Sequence, residues 1–289
     1  RKRFFQTGRF PITRRKKAQR KEAMSKRGFI LRMGGIVVLI ALLIALILFL
    51  EPERPGISRA QAAKAAALFA VSREECIQYQ EEKGSSYFTE KEKNNWYTVY
   101  MDYLFDHEGL SNEYTESTAA AANQDLTYRE AKRLAGFLGK NYADRVNLNQ
   151  SNQKLPFPAD LWWQIYEDAV KAQEEEGLKT LDVILYGTPN QMENGKPWIC
   201  YTDKGDFRFE GLALDAYLDR KIRVFVRDGE IAGVSRQVTE SVVYENVWLE
   251  EITGEKLFFH AGQVPRAFVL PQKDMDKDIQ VHHIADLHV

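Results

Sequence analysis

Cysteine is scarce in this chain: only Cys76 and Cys200 occur among its 289 residues. They lie far apart in the sequence and fall in two different predicted domains. Neither a disulfide framework nor a zinc knuckle can be built from two such residues. The sequence therefore predicts a fold that is stabilised without disulfides, and it predicts no metal site.

Catalytic signatures are missing as well. The sequence contains no Gly-rich phosphate loop, no His-Glu-x-x-His pattern and no Gly-x-Ser-x-Gly pattern. Asp102 and Asp168 each follow a Tyr by two positions, and a role as general acid is conceivable, but scaffold or capping roles are favoured. We predict no catalytic residue and no cofactor within this chain.

Acidic residues are almost absent from the first 33 positions, where Glu22 is the single acid among thirteen Lys or Arg residues. Residues 34–50 hold no charge and no side-chain hydrogen-bonding group. As a helix with a rise of about 1.5 Å per residue, this run is about 26 Å long. With the apolar residues just before it, the run covers a hydrocarbon core of about 30 Å. The sequence thus predicts a basic cytoplasmic arm (1–28) and a transmembrane helix (29–50).

The two flanks of the apolar run set its orientation. Because Lys and Arg are concentrated before the run, the positive-inside rule keeps the N-terminus in the cytoplasm and exports everything after Leu50. The run is long and Glu51-Pro52-Glu53 follows it, which favours an uncleaved signal anchor over a cleaved signal peptide. We expect a single-pass protein of the cell membrane whose later domains are extracytoplasmic.

The basic arm allows two interpretations, binding of nucleic acid or attraction to anionic lipid. Beside a membrane span, topology and lipid attraction account for its charge, so the second interpretation is favoured. After residue 33 the chain holds 27 basic and 40 acidic residues. An acidic exported part of this kind is not a nucleic-acid binder by charge. The lipid bilayer is therefore a predicted partner, and nucleic acid is not.

The predicted fold class is α+β: a single transmembrane helix, then an all-helical repeat domain (57–178), then a small antiparallel β domain (181–289). We expect this β domain to be a barrel or sandwich and to be truncated. The first part is rich in Ala, Glu, Lys, Gln and Leu, which are strong helix formers. The second part alternates β-branched and aromatic residues with polar ones between turn dipeptides. Asp228-Gly229, flanked by strand patterns, predicts a hairpin.

The helical part contains an internal similarity. Residues 57–69 match residues 126–138 at an offset of 69, and each block opens on a Ser or Thr followed by Gln or Glu three positions later. This spacing is typical of a helix N-terminal capping box. A second pair, Trp96-x-x-x-Tyr100 and Trp162-x-x-x-Tyr166, has an offset of 66. Two blocks at nearly one offset predict stacked units that bury their faces against each other.

The order of a Trp-bearing helix (from Trp96), a polar stretch and a helix that opens on Leu126-Thr127 resembles one S-layer-homology module. Modules of that family bind secondary polymers of the bacterial wall. Ile57-Ser58-Arg59 would be the motif of a preceding, truncated unit, and the resemblance implies that Arg59 contacts the polymer. Trp163 is the second predicted contact, because its ring would be an exposed platform for sugar stacking.

The β part resembles the region before the catalytic domain in clostridial proteins related to stage II sporulation protein D. The similar sequence segments are Trp198–Gly205, Phe209–Asp219, Ile222–Val234 and, near the end of the chain, Ile284–His288. The resemblance implies a membrane-anchored wall protein that positions a downstream, sporulation-related peptidoglycan-remodelling domain of the lytic transglycosylase type. That catalytic domain would begin beyond Val289. Peptidoglycan or a secondary wall polymer, and other sporulation proteins, are the implied partners of a Gram-positive wall protein.

Two rival functions stay open at this point. In the first, the chain is a non-enzymatic adaptor whose modules bind wall polymer or another sporulation protein. In the second, it is an extracytoplasmic sensor with the basic arm as its inner contact. The arm is too short and too charged to fold alone, which makes the sensor the least favoured.

Overall fold

The computed structural model describes residues 55–173, 177–192, 194–239, 241–269 and 284–288. The predicted cytoplasmic arm (1–28) and transmembrane helix (29–50) lie outside the described residues. Among the helices that the structure describes, none has the length and apolar composition that crossing a membrane requires. Residues Pro55–Val289 form one compact unit.

The first half of this unit is helical. Its helices are α1 (Arg59–Ala70), α2 (Arg73–Lys83), α3 (Thr98–Asp106), α4 (Ala119–Ala122), α5 (Tyr128–Leu138), α6 (Lys140–Ala143) and α7 (Ala159–Ala172). The Ser58 hydroxyl accepts from the Gln61 backbone N–H at 3.2 Å, and Thr127 forms a capping box with Glu130. The predicted starts of α1 and α5 are therefore confirmed.

Three helices start from one set of backbone contacts. Single β-bridges join the segments in front of α1, α5 and α7, between Gly56 and Pro158, Ser58 and Asp125, and Thr127 and Pro156. The Leu126 N–H donates to the Ile57 carbonyl, and the Phe157 N–H donates to the Leu126 carbonyl, both at 2.7 Å. Ile57, Leu126 and Phe157 are all buried. The segment before α7 is thus bonded to the segments before α1 and α5, although no sequence similarity indicated this arrangement.

The predicted equivalence of the two Trp-bearing helices is wrong. Trp96 lies in a turn before α3, whereas Trp162 lies inside α7 and is fully buried. Asp102 is fully buried, whereas Asp168 is exposed. The shared Trp–Tyr spacing therefore occurs in two different packing environments.

The second half of the unit begins with a five-stranded barrel. Its strands are β1 (Leu178–Gly187), β2 (Ile199–Thr202), β3 (Gly205–Arg208), β4 (Lys221–Arg227) and β5 (Glu230–Thr239), in the order β1-β2-β3-β5-β4. The β3–β5 pair is parallel and consists of Arg208 opposite Glu230; the other pairs are antiparallel. The predicted hairpin at Asp228-Gly229 is confirmed, and both residues have positive φ, 48° and 80°.

A second sheet follows the barrel. It consists of β6 (Val243–Thr253), β7 (Lys256–Ala261), β8 (Val264–Val269) and β9 (Ile284–His288), in the order β8-β7-β6-β9. Its buried residues, among them Tyr244, Leu257 and Phe259, form a hydrophobic cluster of their own. Ile184 and Tyr186 of β1 pack against that cluster from the barrel side. The sheet is therefore attached to the outside of β1.

The predicted fold class is wrong. The described residues contain no membrane-crossing helix and no all-helical repeat domain, because the helices share one hydrophobic core with barrel residues Leu178, Phe225 and Ala232. The β part is also more than one small antiparallel domain, since it comprises a barrel with a parallel pair and a separate sheet. The physical reason lies in α1, which is buried along nearly its whole length. A helix that is buried on all its faces needs neighbours on every side, and the barrel supplies some of them.

Candidate binding cleft in the barrel

The barrel wall has a gap beside β1. Strand β1 pairs with β4 from Leu178 to Ile184, but it pairs with β2 only at Leu185 and Gly187. The first part of β1 therefore has a neighbouring strand on one side alone among the described residues. On the other side a cleft of about 680 Å³ opens towards the β2–β3 hairpin.

The cleft has an apolar floor and a charged rim. It is lined by Gly177, Lys179, Leu181, Lys204, Phe207, Val226, Asp228 and Gly229. We call this set the barrel cleft. Leu181, Phe207 and Val226 belong to the barrel core or pack against it, and they supply the floor. Lys179 and Lys204 are exposed, as is Asp228. A concave apolar surface with a few convergent polar groups is the usual form of a ligand site.

The charge of the rim differs from the charge of the unit around it. Two lysines face one aspartate at the cleft, whereas acidic residues outnumber basic ones by 40 to 27 after residue 33. Lys204 does have an acidic neighbour, because its Nζ lies 3.4 Å from a carboxylate oxygen of Asp203. An exposed pair at this distance contributes little binding energy of its own. The lysine rim can therefore attract an anionic ligand.

The position of the cleft is held by a buried ion pair between α1 and the barrel. Lys64 of α1 is fully buried and pairs with Glu230, the first residue of β5, and its Nζ also donates to the Glu210 carbonyl at 2.7 Å. The Arg208 Nε lies 3.4 Å from the second oxygen of Glu230. Burial lowers the pKa of Lys64 and raises the pKa of Glu230, while their mutual attraction opposes both shifts.

A second group of contacts fixes the C-terminal end of α1 to the barrel. The Arg227 guanidinium, on β4, donates to the carbonyls of Leu68 and Phe69 at 3.0 and 3.1 Å. These two carbonyls lie in the last turn of α1, where helix carbonyls lack intrahelical partners and a positive charge is favourable. Arg227 directly precedes Asp228 on the rim, so the same strand holds the helix and borders the cleft.

Arg59, a predicted polymer contact, lies in a different place and has partners within the chain. Its Nε donates to the Glu130 carboxylate at 2.6 Å, and one guanidinium NH group donates to the carbonyl of Ala121 at 2.9 Å and to the Gln124 side chain at 3.1 Å. Its side chain is 11% exposed. Contact of Arg59 with a wall polymer stays a prediction, and the structure gives this residue a role in joining α1 to α5.

Trp163, the other predicted contact, packs against the barrel. Its ring is half-buried and stacks on Phe225 of β4, with centroids 6.1 Å apart and planes 27° apart. The ring also lies against Gly233 of β5, where any Cβ would overlap it. Its predicted sugar contact also stays a prediction. The structure therefore does not bring Arg59 and Trp163 together with the cleft residues in one site.

Other reactive side chains of the described residues are shielded. Cys76 and Cys200 are free and buried, and burial raises the pKa of each thiol to about 12. In the part of the chain that the structure describes, no group of three or more His, Cys, Asp or Glu side chains is arranged to hold a metal ion. The described unit thus offers a binding cleft and no exposed nucleophile of the cysteine type.

The cleft residues were not singled out from the sequence, although part of the signal was present. Lys204-Gly205 and the alternating residues that follow, including Phe207, fit the predicted pattern of strands between turn dipeptides. Nothing in the sequence indicated that the first part of β1 would lie beside this hairpin, because the gap depends on where β2 ends.

The chain was also compared with known proteins, and no family model, curated protein or solved structure matches it.

Proposed function

We propose that this chain is a membrane-anchored, extracytoplasmic wall-associated protein whose unit Pro55–Val289 binds an anionic component of the cell wall through the barrel cleft. The observation that carries the proposal is a cleft with an apolar floor and two rim lysines on an otherwise acidic unit. The apolar run 34–50 and the basic residues before it support the membrane attachment and its orientation.

The unit has a construction suited to positioning a neighbouring domain. The core of the helices includes the barrel residues Leu178, Phe225 and Ala232, and α1 is joined to the barrel by Lys64 and Arg227. Because such a unit is rigid, its contact with the wall determines where the next part of the chain lies. We propose that it positions a downstream peptidoglycan-remodelling domain of the lytic transglycosylase type, with a role in sporulation. Reading the gene for about 200 codons beyond Val289 tests this, and an immediate stop codon would leave the non-enzymatic adaptor.

Binding is tested by co-sedimentation of residues 55–289 with purified Gram-positive sacculi. We expect the protein to pellet at low salt and to be released at about 0.5 M salt, since the screening length falls to a few ångströms there. Lys179→Glu with Lys204→Glu should weaken binding about tenfold or more, because two attractive contacts become repulsive. Lys140→Glu with Lys154→Glu, at two exposed lysines outside the cleft, is the matched control and should bind as the unaltered chain does.

Two results would contradict the proposal. If residues 55–289 stay in the supernatant at low salt, the cleft does not bind wall. If the control with Lys140 and Lys154 replaced weakens binding as much as the cleft variant, attraction is nonspecific. The orientation has a separate test: a protease added outside intact protoplasts should cleave the chain after Pro55, and protection of that region from outside would overturn the extracytoplasmic assignment.

A further inference from the structure

The cleft borders a strand edge whose backbone groups have no strand partner among the described residues. Pairing with β4 uses one side of β1 from Leu178 to Ile184. On the other side, β2 reaches only Leu185 and Gly187. Such an edge presents N–H and C=O groups that another extended chain can pair with.

The direction in which these backbone groups point follows from the contacts of Ile184, the last residue of this edge before β2 pairs with β1. The N–H of Ile184 donates to the Asp203 side chain at 2.7 Å, and its C=O accepts from the Asp203 N–H at 3.2 Å. Both groups of Ile184 therefore point towards the β2–β3 hairpin. The next residue, Leu185, points both groups the other way, to Arg220 and Asp219 beside β4.

Strand geometry extends this alternation down β1. Backbone groups repeat every two residues, so those of Asp182 and Thr180 point to the same side as those of Ile184. They face the gap between β1 and the hairpin, and no backbone partner is found for them among the described residues. The N–H and C=O groups of Thr180 and Asp182 thus face the gap. These two residues lie about 6.6 Å apart along β1, which is the two-residue repeat of an extended peptide.

We infer that the barrel cleft takes an extended acidic peptide that adds to the edge of β1 beside the cleft, where the described residues provide no strand partner. The peptide backbone pairs with Thr180 and Asp182, an apolar side chain enters the floor formed by Leu181 and Phe207, and carboxylates meet Lys179 and Lys204. Strand addition to a free edge obtains affinity from backbone hydrogen bonds and specificity from pockets for alternate side chains.

This inference rests on the proposed wall binding and narrows it. Stem peptides of peptidoglycan consist of amide-linked residues and carry free carboxylates, whereas the backbone of the glycan strand consists of sugars without amide links. The cleft therefore selects the peptide part of the wall. A free glycan chain is the competing ligand class, and the experiment has to separate the two.

The first test uses the unaltered unit with two preparations of the same sacculi, one intact and one stripped of its peptides by an amidase. We expect binding to intact sacculi and at least a tenfold loss on the stripped glycan. Equal binding to both would overturn the peptide inference and leave wall binding standing. Failure to bind either preparation would remove the proposed function itself.

The second test removes one edge donor. Thr180→Pro deletes the N–H that faces the gap, and proline is tolerated on a strand edge where that N–H has no ladder partner. We expect about a tenfold weaker association with intact sacculi, as is usual for losing one or two hydrogen bonds with a steric change. Thr180→Ala keeps the N–H and should bind within about twofold of the unaltered chain. Equal weakening by both would show that the side chain matters, which would contradict edge pairing.

Thr180→Pro is informative only if it folds, which a thermal melt checks beside Thr180→Ala. Should the proline variant unfold, the comparison of intact and stripped sacculi still decides the inference, because it uses the unaltered chain. If Thr180→Pro folds and binds intact sacculi normally, strand addition at β1 is wrong.

Discussion

The barrel is attached to its two neighbours in different ways. At its joint with the helices, the barrel residues Leu178, Phe225 and Ala232 belong to the hydrophobic core of the helices, and the buried Lys64–Glu230 pair lies across this joint. Its joint with the second sheet links two separate hydrophobic clusters. Asp219 is the polar centre of that second joint, because it accepts hydrogen bonds from Tyr244 and Arg266.

This difference shows which parts should unfold together. Fully buried barrel residues belong to the core of the helices, whereas only the partly buried Ile184 and Tyr186 of the barrel pack against the cluster of the second sheet. Regions that are joined by fewer buried contacts can open at a lower free energy. We therefore expect the helices and the barrel to form one cooperative unit and the second sheet to open more easily. The cleft is lined by residues of β1, β3 and β4 and of the turns beside them, so it belongs to the more stable part.

The largest effect is expected from breaking the buried ion pair. Glu230→Ala leaves the Lys64 ammonium buried without its counter-charge and should lower the free energy of unfolding by about 3–5 kcal/mol. Urea unfolding of residues 55–289 measures it. The double variant Lys64→Met with Glu230→Leu removes both charges and should recover most of this loss. If it is as unstable as the single variant, the uncompensated charge is not the cause.

An intermediate effect is expected where a tryptophan packs on a barrel glycine. Gly233→Ala places a methyl group into the Trp163 ring, so the ring must move and the α7–barrel joint should weaken by about 1–3 kcal/mol. Gly136→Ala is the matched control, since its new Cβ would meet only Ala143 at 3.6 Å and it lies inside α5. That control should stabilise the chain by about 0.5–1 kcal/mol. Thermal unfolding of both variants gives the comparison, and a stable Gly233→Ala protein would contradict the tight joint.

The smallest effect on global stability is expected at the second joint. Tyr244→Phe removes the hydroxyl that donates to Asp219 and should cost about 1 kcal/mol. The loss should be confined to the second sheet, which limited proteolysis between β6 and β8 detects. Tyr201→Phe, at a buried position on β2, is a control that keeps Asp219 paired. Equal destabilisation of α1 and β6 by Tyr244→Phe would show that the two joints are one.

Local features were predictable from the sequence and long-range ones were not. The Ser58 and Thr127 caps and the Asp228-Gly229 hairpin follow from interactions within a few residues, and the structure confirms them. The Lys64–Glu230 pair was missed because a lysine in an alanine-rich helix gives no sign of which distant residue it meets. The predicted all-helical domain failed for the same reason: apolar helix faces indicate that burial occurs, but not that a barrel covers them.

The candidate site shows the same limit. Arg59 was predicted as a polymer contact from its motif position and Trp163 from the expected exposure of its ring, and their structural neighbours are Glu130 and Phe225. The cleft arises instead from the end of β2, because β1 before Leu185 pairs with β4 on one side and has no strand partner on the other among the described residues. Strand ends depend on the closure of the whole barrel, so a sequence pattern cannot place a gap of this kind.

Hydrogen exchange of residues 55–289, followed by mass spectrometry, shows whether the helices and the barrel unfold as one unit. We expect peptides from the middle of α1 and from β4 and β5 to exchange with one common free energy of opening. Peptides from β6 and β7 should exchange at a lower free energy. If α1 exchanges at a clearly lower free energy than the barrel strands, the helices and the barrel are separate units, and the shared core proposed here is contradicted.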